Sequence, residues 1–295
     1  MFNNLRMYRI LGSWPGDESG LSEALAEKAF RPCGALSERS AGWEPPGADA
    51  ATSSSLARRI AGADLLELRT QTRVLPAAAI KESLAERVDD YRRRMGREPP
   101  RRELRRLREQ TRDELLPQAL VQSTRTQGFA LLQEAVLAVN AAAPARAEWF
   151  LEHLRACLEG VRFEPLQFER SPASLMQEMF LGKVPGGFAL GRECRMADPS
   201  DGRSTGTWRH VDLDDEALRR HVRDGMKVTQ LGFVFEEALG GVLGEDGAIT
   251  RLKLAEAAEG GDEEDGLGRQ DAEFVLLTGL TRRLLQRLEA LLGAE

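Results

Sequence analysis

Histidine and cysteine are scarce in this chain of 295 residues, with three of each. Cys33, Cys157 and Cys194 are odd in number, far apart and in no C-x-x-C pairing, which argues against a disulfide framework and a cysteine-built zinc site. No two of His153, His210 and His221 stand at metal-ligand spacing from each other, and all three read as surface histidines rather than ligands or general bases. No G-x-x-x-x-G-K-[ST] occurs, which sets aside a P-loop ATP motor. No apolar run reaches the roughly 18 residues of a membrane span. The opening "MFNNLRMYRILGSW" carries Arg6 and Arg9 where a signal peptide needs unbroken apolar residues. A soluble protein of the reducing cytoplasm is expected, with no metal and no cofactor.

What the chain does have is a normal apolar content, 42%, and 30% charged residues, somewhat above the average of about 25%. Its length gives room for two ordinary domains, or one elaborated domain, around a real core. Residues 1–75 combine the short apolar "NLRMYRIL", a helical pattern around Ala24 to Phe30, a Gly/Pro/Ala/Ser-rich loop from Gly42 to Ser55 and the strand-like "ADLLELRT". This reads as an N-terminal α+β unit. Residues 118–295 alternate β-like runs ("GFALLQEAVLAVN", "VRFEPLQF", "KVTQLGFVF", "AITRLKL", "AEFVLL") with helix-like ones ("PARAEWFLEHLRACLEG", "SPASLMQEMFLG", "DDEALRRHVRDG", "GLTRRLLQRLEALLG"). That interleaving predicts an α+β fold with mixed sheets and packed helices. "GVLGEDG" reads as a hairpin turn, and Glu259 to Gly268 as a solvated acidic loop.

Between these regions, residues 76–117 change character. Ile80, Leu84, Val88, Tyr91 and Met95 recur at steps of three and four, which predicts an amphipathic helix with one buried stripe. Pro76 precedes it, where a missing N–H does no harm. "GREPP" breaks the pattern, and a second helix follows from Arg101 to the Leu-Pro at Leu116, with Leu104, Leu107 and Leu115 on one side. Two helices joined by so short a turn are expected to form a protruding antiparallel hairpin arm.

The arm is basic inside an acidic chain. From Arg87 to Arg112 there are eleven arginines against five acids, a local excess of +6 where the whole chain carries -6. Such asymmetry marks a surface for a polyanion. At about 100° per residue, Arg101, Arg105, Arg108 and Arg112 fall within roughly 60° of one another; Arg94 and Arg97 have the same spacing. A guanidinium fork gives two hydrogen bonds to one phosphate and keeps its charge. Duplex DNA offers one negative charge per roughly 1.7 Å, so the row suits its backbone. The same composition also suits a solvated, salt-bridged hairpin in which Glu103 reaches Arg102 or Arg106 and Glu109 reaches Arg105 or Arg112. An acidic protein partner is the third option. Lys227, Arg251 and Lys253 lie on strand-like segments, where they extend a basic surface or stand as ordinary exposed residues.

Candidates for catalysis read as structural. Asp214 and Asp215 sit at a helix N-terminus, where acids suit the dipole, and the acids from Asp262 to Asp265 belong to the low-complexity loop. Trp149 and Phe150 belong to an amphipathic helix and read as core.

Landmarks along the chain also come in a telling order: "NLRMYRI", "AFRPCG", "GWEPP", "LPAAAIKESLAERV", "LLPQAL", "GFALGREC", "HVRDGMKVTQL", "ITRLKL" and "AEFVLLTG". Together they resemble the bacterial recombination-associated RdgC family over essentially the whole length. The resemblance implies a non-enzymatic, nucleoid-associated protein that forms a ring-shaped homodimer and encloses double-stranded DNA with little sequence preference. It further implies modulation of RecA-dependent recombination and replication fork repair. Arg97 and Lys227 match basic positions of the family and are implied DNA contacts, beside Arg94, Arg101, Arg105, Arg108 and Arg112 of the arm. At "LPQAL" the family pattern is closer to Leu-Pro-Arg-Ala-Phe. Gln118 therefore lacks a charge, and Leu120 lacks an aromatic ring, at positions implied to close the dimer. The competing expectation is a protein-interaction module whose basic arm docks an acidic partner of the recombination machinery.

Overall fold

Strand β1 (Asn4–Leu11) alternates half-buried and buried side chains, as a strand with one face on a core must. The computed structural model that shows this describes residues 2–47, 54–201, 204–255 and 266–293. Its contacts divide into two compact units. One comprises Met1–Glu27, Pro45–Glu67 and Thr126–Glu295, and the other Lys28–Glu44 and Leu68–Arg125.

In the first unit, β1 pairs antiparallel with β12 (Ile249–Leu254) at its start, and further along with β6 (Val136–Val139) and β7 (Arg162–Pro165). The ladder continues from β12 through β11 (Leu239–Gly244), β10 (Lys227–Phe235) and β8 (Phe188–Ala197) to β9 (Thr205–Arg209), each pairing antiparallel. On the other side β6 pairs with β5 (Leu120–Leu131), and β3 (Ala57–Ile60) pairs with β4 (Ala63–Val74), again antiparallel. An α+β architecture with a large antiparallel sheet results, instead of the mixed sheets that the interleaved order suggested. "GVLGEDG" does turn between β11 and β12.

Helices α1 (Glu18–Ala26), α4 (Pro144–Arg155), α5 (Pro172–Phe180), α6 (Glu216–Arg223) and α7 (Gly266–Leu292) belong to the same unit. α1 is capped by Asp17, whose carboxylate accepts from the Gly20 N–H. It ends before the predicted Ala24 to Phe30 pattern is complete. α7 buries Leu277, Leu280, Leu284 and Leu288 among residues that include Phe129 and Phe233. The strand predicted at "AEFVLL" is part of this helix; Thr278 and Thr281 return their hydroxyls to the carbonyls of Phe274 and Leu277 and so sit in it without polar cost. Most of the predicted acidic loop, and the acids from Asp262 to Asp265, lie outside the described residues, as do residues 48–53 of the predicted Gly42 to Ser55 loop. The Gly42 end of that loop is strand. No helix among the described residues is long and apolar enough to cross a membrane.

The second unit is built on β2 (Arg39–Glu44) and the parts of β4 and β5 that begin at Leu68 and end at Arg125, in the order β2, β4, β5. Trp43 is almost wholly buried and is bridged to Ala29. The backbones approach so closely there that a Cβ on Gly42 would lie 2.5 Å from the Phe30 Cα; only glycine fits. α2 (Ala77–Met95) and α3 (Arg101–Leu115) fill the chain between the two long strands and contact each other.

Candidate nucleic-acid interface

The α2–α3 excursion is framed as its prolines and glycine dictate. Pro76 caps α2, Gly96 ends it in the left-handed conformation at φ 65°, and Pro100 caps α3. The Gly96 N–H donates to the Arg92 carbonyl at 2.9 Å. Arg73, near the end of β4, holds the way back. Its Nη1 donates to the carbonyls of Leu116, Pro117 and Ala119 at 3.2–3.3 Å, and its Nε to Gly34 at 3.2 Å. The chain thus returns to the place it left.

The apolar stripe is only half sheltered. Ile80, Leu84, Val88 and Tyr91 are partly buried and Met95 is exposed, so α2 buries no residue fully in the single chain. On α3, Leu107 and Thr111 are buried, whereas Leu104 is 40% exposed. Sequence periodicity finds the stripe but overstates its burial, because the partner helix covers only one side of it.

Electrostatics sort the arginines into two groups. Arg92 pairs with Asp89 and Glu98, Arg93 with Asp90, Arg87 with Glu114, Arg106 with Glu103 and Arg105 with Glu109. The hydrogen bond from Arg92 to Glu98, with the charge of Glu98 behind it, raises the Arg92 pKa above its ordinary value. Arg112 reaches out of the helix to Glu38 at 2.6 Å. By contrast, no carboxylate among the described residues lies in ion-pair range of Arg94, Arg97, Arg101, Arg102 or Arg108. Arg94 makes one weak bond from Nε to the Asp90 carbonyl, at 3.4 Å. All five are exposed.

Of the predicted row, then, Arg94, Arg101 and Arg108 on the helices, and Arg97 in the connector between them, have no counter-ion among the described residues. Arg105 and Arg112 are paired at the surface, where such pairs are worth at most about 1 kcal/mol and exchange readily for another anion. Arg108 and Arg112 also line a cavity of about 310 Å³ together with Glu38, Arg39, Arg73 and Ile80. Sequence reasoning did not reach Glu38, Arg39 and Arg73, which lie far away in the chain on or beside strands of the same unit and carry no local motif.

Lys227, in the other unit, is the exposed first residue of β10, opposite Ala197. Arg251 pairs with Glu193, which also lies 3.9 Å from Arg209, while Lys253 is exposed. Gln118 and Leu120 are both exposed, Leu120 at 81%. Asp215 caps α6 by accepting from the Ala217 N–H, and Asp214 pairs with Arg219, so both do structural work. His153 binds the Trp149 carbonyl at 2.8 Å, and His221 packs on Trp208. Phe150 is core, whereas Trp149 is only half-buried. No group of three or more His, Cys, Asp or Glu among the described residues is placed to hold a metal ion.

The family model described as "Putative exonuclease, RdgC" matches residues 1–295. The chain belongs to the RdgC family. Curated RdgC relatives align with it almost end to end. The protein named Recombination-associated protein RdgC from Stenotrophomonas maltophilia is 31% identical over 294 residues, covering 98% of this chain and 96% of its own. The protein of that name from Halorhodospira halophila is 31% identical over 299 residues, covering 100% and 98%. That from Dechloromonas aromatica is 29% identical over 306 residues, covering 100% and 98%. These RdgC names describe an association with recombination and specify no reaction, whereas the description of the family model names an exonuclease.

Proposed function

We propose that this protein is a sequence-independent binder of double-stranded DNA that takes part in recombination without acting as an enzyme. In this reading two copies form a ring around the duplex, with α2 and α3 as protruding arms. Occupancy of the duplex then modulates RecA-dependent recombination and fork repair, as the family resemblance implies. The observation that carries the reading is the set of exposed arginines on α2, α3 and their connector that lack a carboxylate among the described residues. Guanidinium groups spaced along a helix meet phosphates without reading base edges, and affinity then comes mainly from counterion release. Lys227 adds a further exposed cation in the other unit. The names of the relatives support a role in recombination. The exposed Leu120, beside Gln118, supplies an apolar contact for a second copy, smaller than the aromatic contact of the family pattern.

The deciding experiment replaces Arg101, Arg105 and Arg108 together by Glu. Mobility shift on unrelated duplexes should be abolished, with circular dichroism and melting temperature unchanged. Undiminished DNA retention rejects the assignment. If DNA binding is weak and length-independent while an acidic protein is captured through nuclease treatment, the helices serve a protein partner instead. Mg²⁺-dependent strand cleavage lost on mutating one carboxylate would restore an exonuclease.

A further inference from the structure

We infer that the cavity at the root of α2 and α3 is a binding site for a phosphate-bearing ligand of nucleotide size. Its volume of about 310 Å³ lies at the lower end of the range for small-molecule sites, roughly 300–1,000 Å³. Four guanidinium-bearing residues, Arg39, Arg73, Arg108 and Arg112, line it, against the single carboxylate of Glu38. Ile80 supplies an apolar wall, which strengthens charge interactions beside it.

The four arginines are not equivalent. Arg73 is fixed by its bonds to the carbonyls of Gly34, Leu116, Pro117 and Ala119, so its orientation is set before any ligand arrives. Preorganisation of that kind lowers the entropic cost of binding. Carbonyls orient the guanidinium but leave its full charge uncancelled, and no carboxylate among the described residues pairs with Arg73 or Arg108. Arg112 shares its charge with Glu38 at 2.6 Å, so at Arg112 a ligand anion competes with that one carboxylate. Like charges gathered on one concave surface repel, and a dianion relieves that repulsion. A phosphate fits better than a carboxylate, because its oxygens spread over several directions and accept from several planar forks at once.

The site goes beyond the DNA-binding reading, since its lining comes from one unit of one chain and would admit a free ligand. The phosphate has two sources with the same chemistry, a free nucleotide and the terminal nucleotide of a DNA strand. Titration calorimetry on the full-length protein, with inorganic pyrophosphate and with AMP, tests the site. The expected result is one ligand per chain. Affinity should fall by about tenfold or more in Arg39→Gln, from the loss of a charge-assisted hydrogen bond. Ile80→Trp, which fills the space and removes no charge, should also weaken binding, while Glu38→Gln should tighten it several-fold. Both weakened variants lie outside the proposed DNA row, so each should keep the wild-type mobility shift.

Fluorescence anisotropy with 5′-phosphorylated and 5′-hydroxyl oligonucleotides separates the sources. A preference for the phosphorylated end that vanishes in Ile80→Trp assigns the DNA terminus. Pyrophosphate or AMP binding with no such preference assigns the free nucleotide. Absence of binding to both small ligands at millimolar concentration, together with no end preference, overturns the inference. So does binding that survives unchanged in both Arg39→Gln and Ile80→Trp. If pyrophosphate binds one per chain but duplex DNA does not bind at all, the DNA reading falls and this site stands.

Discussion

Arg59 and Asp64 meet as a two-pronged fork, Nε to Oδ1 at 2.6 Å and Nη2 to Oδ2 at 2.8 Å. The Asp64 carboxylate is wholly buried and its Oδ2 also accepts from the Trp14 indole at 2.7 Å. The hydrogen bond to Asp64 is the main reason the Arg59 pKa lies above its ordinary value. Asp64→Ala removes the acceptor of three N–H groups, two on Arg59 and one on Trp14, and breaking such a pair on one side costs about 3 kcal/mol. Urea unfolding should show a lower midpoint at unchanged slope, with Asp64→Asn between the variant and the wild type.

Gly128 on β5 faces the ring of Phe150 on α4, where a Cβ would lie 2.7 Å from the ring Cζ. Phe150 is fully buried, so its ring has nowhere to move. Gly128→Ala should destabilise by about 1–3 kcal/mol through overpacking. Adding Phe150→Leu should recover part of that loss, and a double-mutant cycle in urea measures the coupling.

Binding carried by phosphate contacts must weaken with salt. If six or more phosphates are engaged, affinity for duplex DNA should fall about 10³-fold or more between 50 and 200 mM salt. Neutralising Arg101 alone should reduce the slope of log affinity against log salt by about 1. Mobility shifts on two unrelated sequences over a salt series provide both numbers.

Leu120→Glu tests the proposed homodimer. The side chain touches little within its own chain, so the melting temperature at high dilution should not move. Sedimentation at micromolar concentration should shift from the dimer toward the monomer. A dimer that persists in the variant places the contact elsewhere.

The cysteines give a pH prediction. Burial pushes the Cys194 thiol up to about 11, while an unfolded thiol ionises near 8.5. The folded state therefore holds its proton while the unfolded state releases one. The stabilisation from this group is whole below about pH 8.5 and is lost as pH rises toward 11. Alkylation at neutral pH should mark Cys157, which is half-buried, ahead of the buried Cys33 and Cys194. Mass spectrometry of quenched time points reads the order.

Where the sequence was legible, local rules decided the matter. Pro76, Gly96 and Pro100 mark the ends of α2 and α3 because each acts on its own backbone, and strands such as "KVTQLGFVF" stand out by their residue types. "AEFVLL" misled because Phe and Val favour strands in isolation, while the burial of Leu280, Leu284 and Leu288 one, two and three turns on makes the segment helical. The row at Arg101, Arg105, Arg108 and Arg112 is visible as spacing, but its division into paired and acid-free members is not. That division depends on which acids the fold brings near, and Glu38 reaches Arg112 across more than seventy residues of chain. The cavity was out of reach for the same reason.

The hook that Arg73 makes on the returning carbonyls of Leu116, Pro117 and Ala119 has an architectural consequence. With entry and exit clamped side by side at the mouth of the excursion, the helices beyond carry no duty in strand register. Turns of helix can be added or removed there, and their charge rewritten, while the sheet stays aligned. Reach and grip can therefore diverge among descendants of one scaffold.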